Sequence, residues 1–155
     1  MPTKSTSSAA TPARARPAVV VQYASRAHGM PAAVRLTRWV RAAAPDAEQI
    51  TVRLVTQAEG RGLNLAYRGK DYATNVLTFA YEPGRSCDIV LCPAVIAREA
   101  RAQGKSLDAH YAHLAIHGVL HLRGHDHERP ADAVRMERIE IALLKRFGYA
   151  DPYRA

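Results

Sequence analysis

His110-Tyr111-Ala112-His113-Leu114-Ala115-Ile116-His117-Gly118-Val119-Leu120-His121-Leu122-Arg123-Gly124-His125-Asp126-His127 holds six of the chain's seven histidines. On a helix, His113, His117 and His121 are four residues apart, so each advances only about 40° around the axis and all three share one face. The other faces carry Ile116, Val119 and Leu122, which predicts a buried helix. Three imidazoles along a buried stripe need polar partners, and a metal ion is an efficient one.

Counting from His117 sharpens the pattern. His117, His121, Gly124 and His127 stand at positions 0, 4, 7 and 10, the ligand and glycine spacing of H-E-x-x-H-x-x-G-x-x-H. One helical turn offers two imidazoles to the same ion, a glycine ends the helix, and the returning chain presents a third. Three nitrogen ligands leave a fourth position open, as in catalytic zinc sites. His113 with His117 satisfies the same-face spacing too, but only the 117/121 pair is followed by the glycine and the third histidine. In metalloproteases the residue after the first histidine is the glutamate that serves as general base; here it is Gly118. A peptidase with its usual machinery is therefore disfavoured, and the nearest carboxylates are Asp126 and Glu128.

Outward from this helix, the chain reads as four short strands and five helices. Residues 19–23 (VVVQY), 49–55, 75–81 and 88–92 have strand character, the last two separated by the turn Glu82-Pro83-Gly84. Helices are predicted from Gly29-Met30-Pro31 to about Ala44, from the capping box Thr56-Gln57-Ala58-Glu59 to Arg68-Gly69, from Pro93 to Gly104, over 107–122, and from Pro130 to Gly148. The expectation is an α+β domain over residues 18–155, with a short mixed four-stranded sheet and a zincin-like metal helix.

A length of 155 residues suits one domain, and 48% apolar with 23% charged residues is ordinary for a globular chain. Cys87 and Cys92 are too few for a disulfide framework and read as buried thiols. No apolar run reaches the roughly 18 residues that span a bilayer, so no membrane partner is expected. The net charge of +8 invites a polyanion, yet its distribution is uneven. All 14 acidic residues lie at or after Asp46, while seven of the 22 Lys and Arg precede it. Residues 1–17, rich in Ser, Thr, Ala and Pro, read as a disordered basic tail; Pro12 and Pro17 argue against an amphipathic transit helix. Without an apolar export segment, the expected compartment is the cytoplasm.

Residues 117–127 (HGVLHLRGHDH) resemble the signature of the YbeY endoribonuclease family of rRNA maturation factors. The resemblance extends through 63–71 (LNLAYRGKD), 74–79 (TNVLTF) and 148–153 (GYADPY), and covers roughly residues 50–153. It implies one zinc ion per chain held by His117, His121 and His127, and it matches Arg68 to a family arginine needed for activity. It also implies a single-strand-preferring endoribonuclease acting on the 3′ end of small-subunit (16S) ribosomal RNA and in ribosome quality control, with the small subunit and ribosome-associated proteins as partners. Position 125, more often tyrosine in the family, is histidine here.

The residues alone leave Arg68 between capping its helix and binding phosphate; the resemblance favours the phosphate. RNA contact near the ion is expected from Arg53, Arg61, Arg68, Lys70 and Arg85. Asn75 and Thr78 read as ordinary strand residues, Met136 as core, His110 and His113 as supports of the ligands, and His28 as incidental. A metallopeptidase-like hydrolase and a non-enzymatic ribosome-assembly factor with structural zinc remain the alternatives.

Overall fold

The structure is a computed structural model, and it describes residues 16–82, 85–123 and 129–154. The tail assigned to residues 1–17 lies outside the described residues except for Arg16 and Pro17. Pro17 is buried, and its carbonyl accepts a hydrogen bond from Arg41 Nε at 3.0 Å.

Elements follow the order β1 (Ala18–Tyr23), α1 (Ala33–Ala43), β2 (Gln49–Leu54), α2 (Gln57–Arg68), β3 (Val76–Glu82), β4 (Ser86–Leu91), α3 (Pro93–Gln103), α4 (Leu107–Leu122) and α5 (Pro130–Arg146). The four strands form one mixed sheet in the order β1-β2-β4-β3, with β1, β2 and β4 parallel and β3 antiparallel to β4. This is the α+β domain with a mixed four-stranded sheet and five helices that the sequence predicts. Among the described residues no helix is long and apolar enough to cross a membrane.

Local chemistry explains most boundaries. Thr56 caps α2 by accepting from the Glu59 amide at 3.2 Å, and Gly69 closes it in the left-handed region at φ 69°, which a side chain would disfavour. Ser106 caps α4 through the Ala109 amide at 3.1 Å. Helix α1 starts later than the sequence suggests, because Pro31 is not its first residue. The Pro31 carbonyl is taken by the Tyr23 hydroxyl at 2.6 Å, and Ala32 is still extended. Strand β4 starts earlier, because Ser86 and Cys87 pair with Gln49 and Ile50 of β2.

The sheet has two unlike faces. Ile50, Val52, Leu54, Ile89 and Leu91 point into the main core with Leu36, Trp39 and Val40 of α1, Ile116 and Val119 of α4, and Met136 and Leu144 of α5. Each fully buried Leu or Ile there contributes about 1.5–3 kcal/mol relative to exposure. Val55, Leu77, Val90, Cys92 and Val95 form a smaller cluster, against which Leu63, Ala73 and Phe79 pack. Helix α4 is enclosed on most sides, so it is apolar nearly all round rather than amphipathic. Its close seat on the sheet requires Gly118: a Cβ there would lie 3.1 Å from Thr78 Cγ2 and 3.3 Å from Val76 Cγ2.

The C-terminal segment is tied back to α4. Asp108 pairs with Arg35 and accepts from the Tyr149 hydroxyl at 2.7 Å, while Lys105 Nζ donates to the Pro152 carbonyl at 2.9 Å. These ties bring Tyr153 beside the histidine face.

Candidate metal centre and adjoining cleft

Where α4 is enclosed its histidines need polar partners, and for His110, His113 and His117 the structure supplies carboxylates. His110 Nε2 lies 3.0 Å from Glu99 Oε1, and Glu99 also accepts from Asn75 Nδ2 at 2.9 Å. Burial pushes the His110 pKa down, partly offset by the Glu99 contact. Further along, His113 Nε2 lies 3.2 Å from Glu140 Oε2, and His117 Nδ1 bonds Glu140 Oε1. The Tyr153 hydroxyl donates to the same Oε2. The sequence suggests a supporting role for His113, and its partners here are a carboxylate and a phenol.

Glu140 on α5 is the residue that sequence reasoning missed. It is fully buried. Burial would raise its pKa, but hydrogen bonds from His113, His117 and Tyr153 reverse this and hold it at about 2, so the carboxylate is ionised. Burial and that same contact push Tyr153 up, which keeps its hydroxyl protonated. A carboxylate only accepts, so the proton of neutral His117 sits on Nδ1 and the lone pair on Nε2. A buried carboxylate fixing one ring nitrogen so that the other can ligate is a recurrent arrangement at metal sites.

His113, His117 and Glu140 bring one donor atom each to within 4.8 Å of one another, a group that can hold a metal ion. The chemistry of this donor set, two imidazoles and a carboxylate, suits a first-row divalent cation.

On the outer side of α4 a cleft of about 700 Å³ is lined by Arg68, Asn75, Thr78, His117 and His121, among others. It therefore brings together three of the four residues singled out from sequence, two imidazoles and one guanidinium. The fourth, His127, lies outside the described residues, as do Gly124, His125, Asp126 and Glu128. Arg68 is the last residue of α2, and among the described residues its side chain makes no hydrogen bond or ion pair; the Gly69 amide caps the helix instead. Asn75 lines the cleft with its amide held by Glu99, a placement that its strand position did not suggest. Three of the other four basic residues expected near the ion are committed elsewhere. Arg53 pairs with both oxygens of Glu59 at 2.8 and 2.7 Å, Arg61 pairs with Asp71 at 2.6 and 3.0 Å, and Arg85 lies near Glu48 and Glu82. Lys70 is exposed just beyond the α2 cap.

Gly118 also bears on the chemistry. The protease glutamate would occupy this position, but here the position packs on β3, where even a Cβ would crowd Thr78 and Val76.

Comparison with known proteins gives a consistent result. Residues 27–148 match the family described as Endoribonuclease YbeY. A relative of that name from Methylibium petroleiphilum is 56% identical over 121 residues, covering 77% of this chain and 81% of the relative. Another, from Aromatoleum aromaticum, is 51% identical over 146 residues, covering 91% and 95%. A Thermotoga maritima protein known from a solution structure superposes with a TM-score of 0.53 at 22% identity, covering 88% of this chain and 99% of that one, and supports the fold.

Proposed function

The chain belongs to the YbeY endoribonuclease family, hydrolases that act on RNA, and from that premise we propose that it is a zinc-dependent, single-strand-preferring endoribonuclease whose ion is held by His117, His121 and His127. Its proposed substrate is ribosomal RNA, at the 3′ end of the small-subunit RNA, in the cytoplasm and in contact with the small subunit. The observation that carries the reading is one cleft lined by His117, His121 and Arg68, the last without a partner among the described residues, with Glu140 orienting the His117 ring from behind.

Bound by these imidazoles, zinc would supply Lewis-acid polarisation of a phosphodiester oxygen. The chain's own groups do the rest. Arg68 binds the scissile phosphate through its planar fork and stabilises charge that develops there. Asn75, steadied by Glu99, positions the strand in the cleft. Glu140 keeps the His117 proton at Nδ1.

The N-terminal basic excess has a structural counterpart. Arg16, Arg38 and Arg41 join Arg146 around a surface depression of about 610 Å³, with Asp46 the acid among them. Such a surface suits sequence-independent contact with phosphates, which weakens as salt rises.

A second reading has its own observation. His113, His117 and Glu140 are themselves close enough to share an ion, which would make Glu140 a ligand rather than an orienting group. Against it, Glu140 is fully buried and the Tyr153 hydroxyl, outside that ligand set, already donates to its Oε2.

Zinc content and RNA cleavage of purified His121→Ala, His113→Ala and Arg68→Ala proteins decide between them. The proposed triad requires His121→Ala to lose zinc and cleavage, Arg68→Ala to lose cleavage alone, and His113→Ala to retain zinc. Full zinc and full cleavage in His121→Ala refutes the triad.

A further inference from the structure

Beside the cleft, the less covered face of the sheet carries a second hollow of about 400 Å³, lined by Arg53, Glu59, Tyr67, Phe79, Tyr81 and Asp88 among others. The register sets Asp88 of β4 opposite Phe79 of β3, and Tyr81, which the pairing skips at an irregularity between Ala80 and Glu82, reaches the same hollow and bonds Asp88. Tyr67 comes from the last turn of α2, with its ring edge-on to Phe79 at 5.0 Å between centroids.

Three properties make this hollow unlike a fragment of core. Tyr67 and Tyr81 are 68% and 67% exposed, so two aromatic rings lie open to solvent within one depression. Tyr67 and Phe79 line both this hollow and the cleft that holds His117, His121 and Arg68, so the two are continuous. Its charged groups are Arg53, Glu59 and Asp88, and Arg53 is already neutralised by Glu59. The surplus charge is therefore the Asp88 carboxylate, which repels a phosphate. Asp88 Oδ2 accepts from the Tyr81 hydroxyl at 2.9 Å, while Oδ1 makes no hydrogen bond among the described residues.

Open aromatic rings, no surplus cation and a carboxylate oxygen able to accept suit a flat, uncharged ring with N–H groups on its edge. We propose that this hollow is a nucleobase subsite, where an unpaired base of the RNA strand lying in the cleft stacks on Tyr67 and Tyr81 beside Phe79 and donates an N–H to Asp88. The inference rests on the endoribonuclease reading and deepens it. A base must leave its duplex to enter, so the subsite provides a physical reason for preferring single strands. Stacking alone tolerates any base, and the Asp88 acceptor biases the site towards bases with an exocyclic amino group.

The subsite acts on substrate binding, so its loss belongs in KM with kcat preserved. The test uses a single-stranded RNA of about twelve nucleotides, a matched series with one abasic residue at each position in turn, and a substrate too short to reach past the cleft. For Tyr81→Ser we expect KM to rise about tenfold on the intact RNA, the scale of one lost base–aromatic stack, with kcat within twofold. Tyr81→Phe should retain most of the wild-type KM, which separates the ring from the hydroxyl. One abasic position should raise the wild-type KM but leave that of Tyr81→Ser unmoved, and the shortest substrate should not distinguish the two proteins. Equal KM values for natively folded Tyr81→Ser and wild type on the intact RNA, with no position sensitive to base removal, overturn the subsite. Failure of the wild type to cut any of these RNAs overturns the nuclease reading itself, and the subsite with it.

Discussion

The two halves of α4 carry the same residue at the same kind of spacing and set it in different surroundings. In the first half, His110 and His113 are 4% and 14% exposed in their side chains and point at Glu99 and Glu140. In the second, His117 is 29% exposed and His121 is exposed, and both line the cleft with Arg68. Periodicity puts histidines on a face, but the elements packed over each turn decide whether a ring is a structural hydrogen-bonding group or a ligand. Helices α3 and α5 cover the first half with carboxylates. The second half emerges beside β3 and the end of α2 and lines the cleft with them.

The comparison breaks most sharply at His121. His121→Ala should lower RNA cleavage by at least about a thousandfold, since a ligand and the several kcal/mol of charge stabilisation that its ion supplies are lost together. Its thermal midpoint in the metal-free protein should hardly move, because the ring is exposed. Cleavage within tenfold of wild type would show that the second half is not the metal-binding half. The boundary between the halves is Gly118. Gly118→Glu crowds a Cβ against Thr78 and Val76, so we expect a loss of about 1–3 kcal/mol in urea unfolding and no gain of peptidase activity. A stable, peptide-cleaving variant would mean that the packing of α4 on β3 does not decide the chemistry.

Glu140 joins the halves, since it touches His113 and His117 at once. Glu140→Gln keeps the shape but replaces one acceptor with an amide donor that cannot satisfy both rings. Zinc affinity should fall by about 10–100-fold, the usual cost of losing a ligand-orienting carboxylate, as measured by competition with a chromophoric chelator. Unchanged affinity removes Glu140 from the site; complete loss of binding favours the ligand set His113, His117 and Glu140.

How much of this was legible in the sequence varies with the range of the interaction. Thr56 with Glu59, Gly69, Pro93, Gly104 and Ser106 act within a few residues of themselves, and the helix ends they mark fall close to where the sequence put them. The His117 and His121 pair is legible for the same reason, because one helical turn fixes their relation. Glu140 is not, since Met136-Glu137-Arg138-Ile139-Glu140 alternates charges as a solvated face does. Only the stripe Met136, Glu140, Leu143 and Leu144 places it inward, and its partner lies 23 residues away. Arg53 and Arg61 looked available for RNA until the fold brought Glu59 and Asp71 to them. Pairing across elements is what the linear pattern withholds, and it separates Arg68, which has no partner among the described residues, from Arg53, Arg61 and Arg85.

The smallest expected effect tests the first half on its own terms. His110 is buried with Nε2 on Glu99 and with no hydrogen-bond partner for Nδ1 among the described residues. Its ring already carries an uncompensated polar atom, so exchanging it for an apolar ring of similar shape removes one hydrogen bond and one desolvation cost together. His110→Phe should therefore cost only about 1 kcal/mol in urea unfolding, because Glu99 keeps its bond from Asn75. Zinc per chain should stay at the wild-type value. The same exchange at His117, seven residues along the same helix, should abolish zinc binding. If His110→Phe loses zinc while remaining folded, the buried half takes part in ligation and the division of α4 into a structural half and a ligand half is wrong.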